Sequence, residues 1–110
     1  MSGNIIGVNG MGMEKERAIE LILEELQKAE EKFPTWPTDP IHASAILNEE
    51  AGELTQACLD YYFHDADGKA AFDEAIQCGA MAVRFLVNVG KYHRGKWNGN
   101  GKGKSYRINP

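Results

Sequence analysis

The segment from about Lys69 to Tyr92 is the strongest constraint on the fold, because it is helical in period and apolar on most sides. Phe72, Ile76, Ala80, Val83 and Val87 form one stripe, and Cys78, Ala82, Phe85 and Val89 lie beside it. A helix of that kind must be covered on several faces and is usually central to a bundle. Two other helical stretches precede it. Glu14 to Lys32 repeats Ala18, Leu21, Ile22, Leu26 and Ala29 at three- and four-residue steps, with Glu, Lys and Gln between them. Phe33-Pro-Thr-Trp-Pro37 breaks that helix, since proline cannot continue the ladder and restricts the residue before it. Asp39-Pro40 then starts a helix predicted to reach about Tyr62, with Asp39 as cap and Pro40 at the first helical position. His64-Asp-Ala-Asp-Gly68 is a polar turn. With no convincing strand and no repeat, the chain reads as all-α: a bundle of about three helices, completed by dimerisation. The domain organisation that follows is a flexible leader at 1–13, a helical domain at 14–93 and a flexible basic tail at 94–110.

Composition excludes several classes. The 110 residues suit one domain, and 43% hydrophobic with 25% charged residues is ordinarily globular. A net charge of −4 argues against general binding to nucleic acid or to a membrane surface. No apolar run approaches the roughly 18 residues of a membrane span, and the N-terminus does not read as a secretory signal. Two cysteines make no disulfide framework, so a reduced, cytoplasmic protein is the expectation. Cys58 and Cys78 are expected as small core residues. The charge is also uneven. Residues 91–110 hold 6 of the 12 Lys and Arg and none of the 16 Asp and Glu. That pattern fits either a solvated tail or a cationic arm for a polyanion.

The chemistry-bearing residues are carboxylates in unexpected places. Positions 43, 47, 50, 54, 57 and 61 share one face of the second helix, which sets Glu50 inside an otherwise apolar stripe, with Glu53 beside it. Gly52 between them leaves room for a neighbour or a ligand. On the third helix, Glu74, Gln77, Met81, Arg84, Asn88 and Lys91 share the only markedly polar face. Antiparallel pairing of these helices brings Glu50 and Glu53 opposite Glu74 and Gln77. Converging carboxylates repel, so they take up protons or bind a cation. Hard oxygen donors suit Mg²⁺, with Mn²⁺ as an alternative. Arg84 and Lys91 would meet phosphate charge. The same spacing also fits the surface of ordinary amphipathic helices. Trp36 and Trp97 are each either a base-stacking aromatic or a plug at the bundle end. His42, His64 and His93 read as solvated or helix-end histidines. The absence of any Glu-x-x-His pair disfavours a ferritin-type di-iron bundle.

Leu47-Asn-Glu-Glu-Ala-Gly-Glu-Leu54, followed by Asp73-Glu-Ala-Ile-Gln77 and Ala80-Met-Ala-Val-Arg-Phe-Leu86, resembles the MazG-like all-α nucleoside triphosphate pyrophosphohydrolases over roughly residues 14–92. That family carries Glu-x-x-Glu on one helix and Glu-x-x-Asp on the next. The resemblance implies Mg²⁺-dependent cleavage of a nucleoside triphosphate to the monophosphate and pyrophosphate by a homodimer or homotetramer. It makes Glu50, Glu53 and Glu74 metal ligands, with Gln77 at the fourth ligand position and Glu49 as a helper or water-positioning base. Trp36, Arg84, Asn88 and Lys91 are the expected substrate contacts. The departure is Gln77, where the family carries Asp: Gln keeps a carbonyl oxygen and loses the charge. A non-catalytic bundle that binds nucleotide or a protein partner is therefore the rival reading.

Overall fold

The computed structural model describes residues 12–93. The tail assigned to 94–110, with Trp97, and all but Gly12 and Met13 of the leader lie outside the described residues. Three helices account for the described chain: α1 (Lys15–Lys32), α2 (Pro40–Phe63) and α3 (Lys69–Val87). A 3₁₀ turn, Val89–Lys91, follows α3, and no strand occurs among the described residues. The third helix thus stops earlier than its apolar pattern predicts. Asn88 closes it by sending Nδ2 to Arg84 O (2.9 Å), and the Val-Gly pair that follows favours helix poorly.

Local chemistry explains the other boundaries. Asp39 accepts from Ile41 N (2.9 Å) and Pro40 fills the first helical position, as the sequence requires. The turn after α2 is closed by His64 N and Ala66 N donating to Asp60 O, with Asp65 in the left-handed region at φ 64°. Aspartate tolerates that conformation better than most residues. Asp67 then accepts from Lys69 N (3.0 Å) at the start of α3.

α3 packs against both other helices. Its C-terminal end returns to the start of α2, where His93 N donates to Thr38 O (3.0 Å), so α2 and α3 are antiparallel. α1 runs in the same sense as α3, with Ile22 against Gly79 and the Phe33 carbonyl on Arg84. The core is small: Leu26, Ala80 and Met81 are buried, with Ile22, Ala29, Trp36, Ile46, Leu47 and Val83 packed around them.

The inward face of α3 joins part of its apolar stripe to the face read as polar. Ala80 (0% exposed) comes from the former and Met81 (9%) and Arg84 (4%) from the latter, while Val87, at the end of the apolar stripe, is 60% exposed. Two neighbours flank α3 on this side, and they bury its Arg84 by giving it backbone carbonyls as partners. Cys58 is likewise exposed rather than in the core, one residue round from buried Ala57, and Cys78 is half-buried. Gly52 faces open space, with no neighbour close enough to require a glycine. Gly79 does have one: a Cβ there would stand 2.8 Å from Ile22 Cδ1 and 3.1 Å from Cγ1. That close approach is made within the chain, between α3 and α1. Gly79→Val is expected to lower stability by about 1–3 kcal/mol in urea denaturation, since overpacking outweighs the helix propensity gained.

Candidate functional site

The antiparallel α2–α3 pair brings Glu50 and Glu53, one helical turn apart, to Glu74 on the facing helix. One carboxylate oxygen from each lies within 4.8 Å of the other two. Glu50 and Glu74 are half-buried and Glu53 is exposed. Oε1 of Glu50 and Oε1 of Glu74 are both removed from water and have no hydrogen-bond partner. Buried oxygens normally find donors, and an orphaned carboxylate oxygen is costly.

Electrostatics follow from that placement. Burial pushes the Glu50 carboxyl above the ordinary glutamate range, and the charges of Glu53, Glu74, Glu49 and Glu25 add to it. Burial likewise raises Glu74, with Glu53 the next cause. Both carboxyls therefore favour the protonated form more than an ordinary glutamate does.

A cavity of about 640 Å³ adjoins the cluster, between α1, the 33–37 linker and the inward face of α3. Glu50 and Gln77 line it, as do Trp36, Arg84, Lys28 and Lys32. Gln77 and Arg84 are seven residues apart on α3, about 10 Å along the axis. The cavity therefore has an acidic side at Glu50 and a side with basic and aromatic groups.

The expected residues divide accordingly. Glu50, Glu53 and Glu74 converge, and Gln77 stands on the cavity wall beside Glu50. Glu49 is exposed and outside the three-carboxylate group, though its charge reaches Glu50. Trp36 lines the cavity. Arg84 lines it too, but its Nη2 is committed to Phe33 O (2.6 Å) and Thr35 O (3.4 Å). Asn88 caps α3, and Lys91 is exposed in the 3₁₀ turn; neither lines the cavity, because α3 has ended before them. His42, His64 and His93 are exposed, with His93 Nε2 3.2 Å from Thr38 Oγ1.

Sequence reasoning missed the contribution of α1. Glu25, Lys28 and Lys32 all line the cavity. The signal was present: Ala18, Leu21, Glu25, Lys28 and Lys32 follow the same 3.5-residue spacing that singles out Glu50.

Comparison with protein families, with curated proteins and with solved structures finds no match for this chain. No described helix is long and apolar enough to cross a membrane.

Proposed function

We propose that this chain is a Mg²⁺-dependent nucleoside triphosphate pyrophosphohydrolase of the MazG-like type. The observation that carries the reading is the convergence of three carboxylates from two helices, two of them with orphaned buried oxygens. Three hard oxygen donors with unmet bonding capacity fit Mg²⁺ or Mn²⁺ by their chemistry. Glu50, Glu53 and Glu74 would hold the cation. When bound, the ion would neutralise phosphate charge and activate water for attack at phosphorus. Glu49, exposed next to the cluster, would orient that water or take its proton. Lys28 and Lys32, on the cavity wall, would meet the phosphate oxygens. Trp36 would meet the base.

The apolar residues that the single chain leaves open support a homo-oligomer, dimer or tetramer. Ile19 and Leu23 on α1, Tyr62 and Phe63 at the end of α2, and Leu86 and Val87 on α3 are all more than half exposed.

The test is pyrophosphate release across a panel of nucleoside triphosphates with and without Mg²⁺. Release that disappears in Glu53→Gln supports the enzyme. Binding without release supports the rival, a nucleotide-binding bundle without turnover. Uncharged Gln77 on the cavity wall is what favours that rival. Gln77→Asp is expected to raise Mg²⁺ affinity, read as a larger cation-dependent rise in melting temperature. An unchanged response would place position 77 outside the metal's ligand set.

A further inference from the structure

The linker between α1 and α2 is held in place from the far end of the chain. Among the described residues, the hydrogen bonds that tie Pro34 to Thr38 to other parts of the molecule end on Arg84, Tyr92 or His93. Arg84 Nη2 donates to Thr35 O (3.4 Å) and, just before the linker's first proline, to Phe33 O (2.6 Å). Trp36 Nε1 donates to Tyr92 Oη (2.8 Å), and Tyr92 Oη donates onward to Phe85 O (3.0 Å). His93 N donates to Thr38 O (3.0 Å), and His93 Nε2 lies 3.2 Å from Thr38 Oγ1. Pro34 and Pro37 have no N–H with which to make further bonds.

The segment that closes this clasp is itself slight. α3 ends at Val87, and a single 3₁₀ turn, Val89–Lys91, leads to Tyr92 and His93. Of residues 89–93 only Tyr92 is buried, its ring 4.8 Å from that of Phe85, and Gly90 faces open space. The helices, by contrast, meet on Leu26, Ala80 and Met81. A segment with few buried contacts opens at a lower free energy than the whole fold. What this one holds is a wall, since Phe33, Thr35, Trp36 and Pro37 line the cavity of about 640 Å³.

We propose that Val89–His93 is a latch on the cavity: latch and linker release as one unit while the three helices stay packed, and the release swings the linker wall away from the cavity. The two move together because the bonds at Trp36 and Thr38 end on the latch. Arg84 stays with α3 and sets how firmly the pair closes, through its grip on the Phe33 and Thr35 carbonyls. Opening also costs Trp36 its packing against the core, which keeps the closed state dominant. The latch requires no nucleotide, and its test uses the unliganded chain.

Hydrogen exchange of the full chain, followed by NMR over a range of sub-denaturing urea, reads the opening directly. The His93 backbone N–H and the Trp36 indole N–H are expected to exchange through one common opening. That opening should be at least roughly tenfold more populated than the one that frees the Met81 N–H, and shallower in its urea dependence. Arg84 bonds to neither of these two protons, yet Arg84→Met is expected to speed both by one factor of roughly tenfold or more. Tyr92→Phe keeps the ring on Phe85 and should speed His93 roughly three- to tenfold, which provides a second reading if Arg84→Met does not fold. Gly79→Val strains the α1–α3 contact, which is present with the latch open or closed. It is expected to speed Met81 and to leave His93 and Trp36 unchanged. Exchange of all three protons at one rate of opening and one urea slope would overturn the latch, because linker and helices would then unfold together. So would an Arg84→Met variant that speeds Trp36 but not His93, or a Gly79→Val variant that speeds all three equally.

Discussion

Replacing Glu50 with glutamine is expected to raise the melting temperature of the metal-free protein and, on the hydrolase reading proposed above, to lower Mg²⁺-dependent hydrolysis sharply in the same variant. Both effects come from one oxygen cluster. In the metal-free chain Glu50 is half-buried beside Glu53 and Glu74, and its Oε1 has no partner. An amide of nearly the same shape carries no charge and brings two donors, which can serve the neighbouring carboxylates. Relief of that repulsion is expected to raise the melting temperature by a few degrees. If Glu50 holds a cation as proposed, the same change would remove a charged ligand, and hydrolysis would fall by at least about a hundredfold, beyond the usual cost of losing a ligand's supporting contact. Added Mg²⁺ should raise the melting temperature of the wild type and leave Glu50→Gln nearly unmoved.

The pH dependence has a definite sign. A carboxyl whose pKa is higher in the folded than in the unfolded chain binds more protons when folded. Its contribution is fully present below the unfolded pKa and is lost as pH rises through the raised folded value. Glu50 and Glu74 are both raised, chiefly by burial. The part of the metal-free protein's stability that comes from this pair should therefore decline as pH rises from the ordinary glutamate range toward neutrality. Glu50→Gln should flatten that decline relative to the wild type, and so should saturating Mg²⁺. Parallel pH profiles of wild type and variant, with equal melting temperatures, would mean that the carboxylates do not meet in solution.

The parts of this molecule legible in its sequence are those set by local chemistry. Asp39-Pro40 starts α2 and the 64–68 turn separates α2 from α3, because a capping side chain and a fixed φ act within a few residues. Glu50 was legible as a displaced acid because its stripe is otherwise apolar, and Ala43 and Ala57 on that stripe are indeed buried. The orientation of α3 was legible only in part. Its apolar stripe buries Ala80 but leaves Val87 exposed, and Met81 and Arg84 of the face read as polar are buried as well. Which face is buried depends on partners remote in sequence, here carbonyls 51 and 49 residues away. The cavity wall from α1 escaped for a similar reason. Glu25, Lys28 and Lys32 resemble ordinary helix-surface charges until the linker residues Phe33 to Pro37 meet them around one cavity. The linker clasp also needs pairs more than 50 residues apart, Trp36 with Tyr92 and Thr38 with His93.

Arg84→Met is expected to cost about 2–3 kcal/mol of stability, the largest loss among the single substitutions considered. Methionine retains an unbranched apolar stem, so little packing volume is lost and no branched side chain enters α3. What disappears is the charged donor. Phe33 O and Thr35 O lose a guanidinium at 2.6 and 3.4 Å, and the Trp36 ring loses the cation 4.8 Å from its centroid. Net contributions run to about 1.5–3 kcal/mol for hydrogen bonds involving a charged group and about 0.5–2 kcal/mol for a cation over an aromatic ring. Phe33 and Thr35 are exposed, so water recovers part of what their carbonyls lose. That recovery holds the sum at the lower end of the combined range. Arg84→Lys should fall between, because an ammonium can reach one carbonyl but lacks the planar fork. Urea denaturation with an unchanged m-value is the appropriate measurement, since the substitution should alter stability without altering the surface exposed on unfolding. A loss below about 0.5 kcal/mol, the range of ordinary surface substitutions, would mean that Arg84 does not anchor the linker. Its guanidinium would then be free for the phosphate role that the sequence suggests.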